Sequence, residues 1–136
     1  VMESCMVGLL SAAMTSIPGS SEFFRRGFVT YSGRSKREIL GVPKSSLEEN
    51  GEVSAHVASR MALGALDHSY AQYSISVTGI AGPSGGSDEK PVGTVFLCAR
   101  TRDGDKIEEE CHFDGDRHAV RMAAVEKAID MLMAIS

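Results

Sequence analysis

The chain has 136 residues, a formal net charge of −4, 43% hydrophobic residues and 24% charged residues. That apolar content excludes a disordered chain, the acidic balance disfavours a non-specific nucleic-acid binder, and no apolar run approaches the roughly 18 residues of a membrane span. A single domain is expected over residues 1–136, large enough to bury roughly 68–70% of its unfolded surface without staples. Three cysteines, Cys5, Cys98 and Cys111, are too few and too dispersed for a disulfide framework or a zinc site, so no metal and a reducing, cytoplasmic setting are expected. No leader pattern is readable in the first residues.

In chain order, Val1 to Cys5 reads as the end of a strand. Gly8 to Met14 is small and apolar on most sides, which predicts a buried helix. Ile17-Pro18-Gly19-Ser20-Ser21 breaks it, and one short turn of helix fits after Ser21. Phe28 to Tyr31 is β-branched and aromatic, a strand. Ser35 to Leu40 is a short helix stopped by Gly41 and Pro43. Ser54 is a candidate cap for a longer helix, with Val57, Ala58, Met61, Ala62, Ala65 and Leu66 on one face. Tyr73 to Thr78 alternates with period two, and residues 79–91 form a Gly/Pro/Ser loop. Val92 to Thr101 and Lys106 to Phe113 are strands joined by an Asp103-Gly104 hairpin turn. Asp116 then caps a final helix. This order predicts a three-layer α/β/α sandwich on a mixed, mostly parallel sheet.

Four places could carry chemistry. Ser4 sits at a strand-to-helix turn, where a nucleophile would meet free N–H groups of the following helix; the same spacing also fits a plain helix cap. Cys5 is the rival nucleophile, or a small buried hydrophobe. No serine, histidine and acid arrangement is readable, so a serine hydrolase here would need a lysine base. Lys36, with Tyr31 before it, is one short loop past a strand end, although it also fits a solvated basic run, Arg34-Ser35-Lys36-Arg37. Thr78-Gly79-Ile80-Ala81-Gly82-Pro83 is a strand followed by a Gly-rich loop, long for a simple connection and suited to close approach of a ligand. It matches neither a P-loop nor a dinucleotide fingerprint. Arg117 and Arg121 lie four apart at a helix start and would add to its pull on an anion.

Glu3-Ser4-Cys5, Gly27-Phe28-Val29-Thr30-Tyr31-Ser32 with Lys36, Gly51-Glu52-Val53-Ser54, Thr78 to Pro83, Glu89-Lys90-Pro91-Val92-Gly93-Thr94 and Gly115-Asp116-Arg117 occur in this order. Together they resemble the CinA carboxyl-terminal domain family over essentially the whole chain. The resemblance implies an α/β/α sandwich, often oligomeric, that deamidates nicotinamide mononucleotide to nicotinate mononucleotide and ammonia in NAD recycling, with no cofactor or metal. It puts the catalytic serine on Ser4, the tyrosine on Tyr31 and the lysine on Lys36. It puts substrate contacts on Thr78, Gly79, Gly82, Arg117, Arg121 and Gly8. The implied partners are a small nucleotide and further copies of the chain, with no nucleic acid and no membrane. The resemblance also leads one to expect a helix and most of a strand ahead of Ser4 that this sequence does not contain.

One stretch departs from the family pattern. Where the family reads Glu-Ser-Cys-Thr-Gly-Gly, this chain reads Glu3-Ser4-Cys5-Met6-Val7-Gly8. Two bulky apolar residues beside Ser4 predict an obstructed oxyanion site. They set up a second expectation, a catalytically silent nucleotide-binding or assembly module of the same fold.

Overall fold

The computed structural model describes residues 1–136. Its strands are β1 (Met2–Glu3), β2 (Phe28–Val29), β3 (Tyr73–Gly79), β4 (Thr94–Thr101) and β5 (Lys106–His112); its α-helices are α1 (Leu9–Thr15), α2 (Gly33–Leu40), α3 (Lys44–Asn50), α4 (Ala55–Asp67) and α5 (Arg117–Ile135). A single 3₁₀ turn spans Ser20–Glu22. The strands form one sheet in the order β2-β1-β3-β4-β5. β1 pairs in parallel with β2 and β3, whereas β4 is antiparallel to both β3 and β5. Four strands therefore point one way and only β4 runs against them, the mixed sheet expected from the element order.

Alternation along the strands builds two cores, one on each face. Ile75, Val77, Val95, Leu97 and Ala99 point to the face covered by α1 and α5, where they meet Leu10, Val120, Ala124 and Ala128. Phe96 and Cys98 point to the opposite face, against Leu40 of α2 and Val57, Met61 and Ala62 of α4. Two serines of β3 on that second face are buried, and the helix satisfies them: Ser74 Oγ and Ser76 Oγ donate to the Ala62 and Ala58 carbonyls of α4. These bonds explain how polar residues occupy a central strand without the cost of an unpaired hydroxyl. α2 and α4 pack so closely that a Cβ on Gly64 would lie 2.1 Å from the Leu40 carbonyl oxygen. Only glycine fits there.

Several expected elements shift in the structure. The strand expected from Val92 starts at Thr94, because Gly93 has a positive φ of 97° and its N–H turns back to the Ile80 carbonyl. The strand expected over Phe28 to Tyr31 ends at Val29, since the Thr30 and Tyr31 carbonyls face Lys36 instead of a neighbouring strand. Helix α3 was not expected at all. It runs only seven residues and buries little beyond Ser46, so no apolar period marks it. The Asp103-Gly104 turn forms where expected, with the Gly104 N–H donating to the Thr101 carbonyl. β5 carries Lys106, Glu108 and Glu110 at its exposed positions, charges that suit a sheet edge. No helix is long and apolar enough to cross a membrane.

Candidate active site

Ser4 follows β1, in the middle of the parallel part of the sheet, and its N–H donates to the Val77 carbonyl of β3. It is only 7% exposed. The segment after it makes a tight turn, with the Val7 N–H donating to the Ser4 carbonyl, then two consecutive left-handed residues, Val7 (φ 49°) and Gly8 (φ 94°). Gly8 is the N-cap residue of α1 and provides no side chain to cap it.

The acceptor for that helix start is Glu3. Its fully buried carboxylate accepts from Leu10 N (2.7 Å), Ser11 N (3.0 Å) and Ser11 Oγ (2.6 Å). Charge-assisted bonds of this kind contribute about 1.5–3 kcal/mol each. Ser4 is thereby released from capping, and the first N–H groups of α1 are already occupied. Donors for an oxyanion would come from the preceding turn, where the Cys5, Met6 and Gly8 N–H groups have no backbone acceptor and the Cys5 N–H lies against its own thiol. Met6 is fully buried in the apolar core and Val7 points to solvent, and neither lines the cavity. The Met6-Val7 departure therefore adds no bulk at Ser4, contrary to the expected obstruction.

Lys36 lies one turn into α2, which is opened by a reciprocal Ser32–Ser35 capping box. This start aims Lys36 back under the sheet edge. The side chain is fully buried, with Nζ 3.1 Å from Ser4 Oγ, 2.9 Å from the Thr30 carbonyl and 3.3 Å from the Tyr31 carbonyl. Burial lowers its pKa from 10.5, opposed chiefly by the Glu52 carboxylate nearby. In its neutral form the amine has two N–H groups and one lone pair. Two carbonyls take the former, and the lone pair is left for the hydroxyl of Ser4. Burial raises the pKa of the Cys5 thiol despite Arg117, Arg121 and Lys36 nearby, which leaves it a poor nucleophile.

Ser4 and Cys5 open on a cavity of about 320 Å³ lined also by Tyr31, Glu52, the Gly79–Gly82 stretch and Arg117, among others. Tyr31 stands at its mouth, 60% exposed, and touches Lys36 through its carbonyl and not its phenol. Arg117 donates from Nη1 to the Gly82 carbonyl at 2.7 Å, tying the start of α5 to the Gly-rich loop. Four residues singled out from the sequence lie off the cavity wall: Lys36, which meets it only through Ser4, and Thr78, Gly8 and Arg121. Thr78 is buried and its hydroxyl donates to the Glu52 carbonyl at 3.0 Å. Gly8 shapes the turn. Arg121 donates from Nη2 to the Met6 carbonyl at 2.9 Å, and its buried Nε has no partner. A larger apolar groove of about 720 Å³, lined by Met14, Phe23, Phe28 and Tyr73 among others, contains none of these residues.

Sequence reasoning assigned no part to Glu3, Glu52 or Lys90. Glu3 and Glu52 stand inside quoted motifs, but nothing in their spacing shows where the carboxylates point. Lys90 donates to the Asn50 and Val53 carbonyls, pinning the segment that carries Glu52.

The CinA C-terminal domain family model matches residues 1–135. A protein named nicotinamide-nucleotide amidohydrolase PncC from Enterobacter agglomerans is 52% identical over 122 residues, covering 90% of this chain and 74% of that one. Its namesake from Escherichia coli strain K12 is 47% identical over 130 residues, 96% of this chain and 79% of the relative. The crystal structure of competence/damage inducible protein CihA from Agrobacterium tumefaciens has a TM-score of 0.96 at 47% identity, covering 98% of this chain and 82% of that one. Matched almost from end to end in sequence and in fold, this chain belongs to the CinA C-terminal domain family.

Proposed function

We propose that this protein is an amidohydrolase that deamidates nicotinamide mononucleotide to nicotinate mononucleotide and ammonia, a step of NAD recycling. The observation that carries the reading is the 3.1 Å approach of Lys36 Nζ to Ser4 Oγ at the wall of the cavity. The names of the two relatives described above support the choice of substrate.

In the proposed reaction Ser4 Oγ attacks the carboxamide carbon while neutral Lys36 takes the hydroxyl proton. The negative oxygen that forms is met by the Cys5 N–H of the turn, which has no backbone acceptor. Lys36 returns the proton to the departing nitrogen, so ammonia leaves and the nicotinoyl group is held as an ester on Ser4. Water then attacks that ester and Lys36 accepts its proton and passes it to Ser4 Oγ as the acyl–oxygen bond breaks, and the acid product departs, giving up its own proton to the solvent as a carboxylate. One water is consumed and one ammonia released per turnover. Tyr31 flanks the reacting ring at the mouth. Gly79 and Gly82 admit the sugar, and Arg117 reaches the phosphate. Thr78, Gly8 and Arg121 act through the residues they hold: Glu52, the turn after Ser4, and the Met6 carbonyl.

The test is ammonia release from nicotinamide mononucleotide, beside calorimetric binding of the same nucleotide. Ser4→Ala should abolish release and leave the dissociation constant within about three-fold, because the bond-making hydroxyl has no substitute while binding is spread over the loops. Cys5→Ala should lose less than ten-fold in kcat. An active Ser4→Ala protein, or an inactive Cys5→Ala protein that still binds, would reassign the nucleophile.

A further inference from the structure

The cavity wall carries two formally charged side chains, Glu52 and Arg117, among otherwise neutral residues. We propose that Glu52 is a specificity-determining residue that recognises the positive charge of a pyridinium ring held beside Ser4. This rests on the nicotinamide-nucleotide reading given above and deepens it.

Glu52 Oε1 accepts from the Gly33 N–H at 2.9 Å, at the first residue of α2 and two residues after Tyr31. Its second oxygen has no hydrogen-bond partner and no ion pair within the chain. The backbone that presents it is fastened on both sides. Thr78 Oγ1 donates to the Glu52 carbonyl, and Lys90 Nζ donates to the carbonyls of Asn50 and Val53. An acid that was merely solvated would need none of these ties. Here the carboxylate is held on the same wall as Ser4 and Tyr31.

Nicotinamide mononucleotide is a zwitterion with a cationic ring at the carboxamide end and an anionic phosphate at the other. Attack at the carboxamide requires that the ring lie against Ser4, and so beside Tyr31 and Glu52, while the phosphate extends toward Arg117. The one acid and the one base of the wall then match the two charges of the ligand. A neutral amide of similar shape would leave the Glu52 carboxylate without its counter-charge, which makes Glu52 a filter against uncharged rings.

Glu52→Gln separates this role from a structural one, because the amide oxygen still accepts from the Gly33 N–H while the charge is lost. Dissociation constants are measured by calorimetry for nicotinamide mononucleotide and for its dihydropyridine form, which keeps the carboxamide, ribose and phosphate on an uncharged ring. The expected result is about a ten-fold weaker affinity for the cationic ligand, about 1.4 kcal/mol, with the neutral-ring ligand changed less than two-fold. An equal loss for both ligands would show that Glu52 only props up α2, and no loss for either would show that it reads nothing; both overturn the inference. Ammonia release by the wild-type protein is followed in parallel. If release fails while the affinity difference holds, the deamidase reading falls and the charge recognition stands.

Discussion

Replacing Lys36 by methionine tests the proposed chemistry at its most exposed point. Methionine has nearly the reach of lysine and suits the fully buried position. The substitution removes the base 3.1 Å from Ser4 Oγ, and general-base loss costs about 10²–10⁴ in rate, or about 3–5 kcal/mol of transition-state stabilisation. Two effects on stability oppose each other. The Thr30 and Tyr31 carbonyls lose their donor, at about 1–3 kcal/mol for a buried unpaired group, while a desolvated amine is removed. The assay is kcat for ammonia release, with a urea melt as the control for folding. The pH dependence has a defined sign. Because burial lowers the folded-state pKa of Lys36 below 10.5, the unfolded chain binds a proton that the folded chain lacks across the interval between the two values. Stability of the wild type relative to Lys36→Met should therefore rise with pH through that interval. The kcat/KM of the wild type should rise with pH as the amine becomes neutral. Lys36→Arg should not rescue activity, since arginine keeps its proton. A methionine variant with more than a tenth of the wild-type kcat, or an arginine variant at the wild-type rate, would refute the base assignment.

Two further substitutions probe the surroundings. Arg117→Ala should raise KM for the nucleotide by about ten- to a hundred-fold, from the loss of charge-assisted bonds worth about 1.5–3 kcal/mol, and the penalty should shrink for nicotinamide riboside, which has no phosphate. Equal penalties would show that Arg117 acts through its bond to the Gly82 carbonyl. Val7→Gly should stabilise the fold, because an L-residue in the left-handed region costs about 1–2 kcal/mol and glycine returns about 0.5–1 of that through the unfolded chain. A rise in melting temperature of about 2–4 °C is expected, and a fall would mean that the exposed valine side chain contributes contacts of its own.

The features legible in the sequence were those with a local signature. Helix α4 announces itself through Ser54 and its apolar face, and the β4–β5 hairpin through Asp103-Gly104. Ser4 and Lys36 could be singled out because a strand-to-helix turn and a lysine just past a strand end are local patterns. Their meeting across 32 residues was not readable from spacing, because it depends on β1 and β2 lying side by side in parallel. The same limit applies to Arg121. Its place at a helix start suggested an anion, yet the fold brings the Met6 carbonyl to it instead. Helix α3 lies at the other extreme, with too few residues for any period to register. Glu52 was hidden for a third reason: its role depends on a hydrogen bond to Gly33 and on a fastening by Lys90, both made by segments distant in the chain.

The bond from Arg121 to the Met6 carbonyl joins residues 115 positions apart. At roughly 5–20 residues per second of synthesis, the brace is made some 6–23 s after the turn it supports. Throughout that interval the two left-handed residues after Ser4 lack their last tether, and the α5 half of the core over that face is missing. A nascent chain can therefore pair β1 with β3 and still hold no properly shaped turn after Ser4. Under the proposed mechanism, hydrolytic competence arrives with the closing helix, so a ribosome-stalled or proteolytically shortened chain would be silent toward the nucleotide even where most of its sheet had formed.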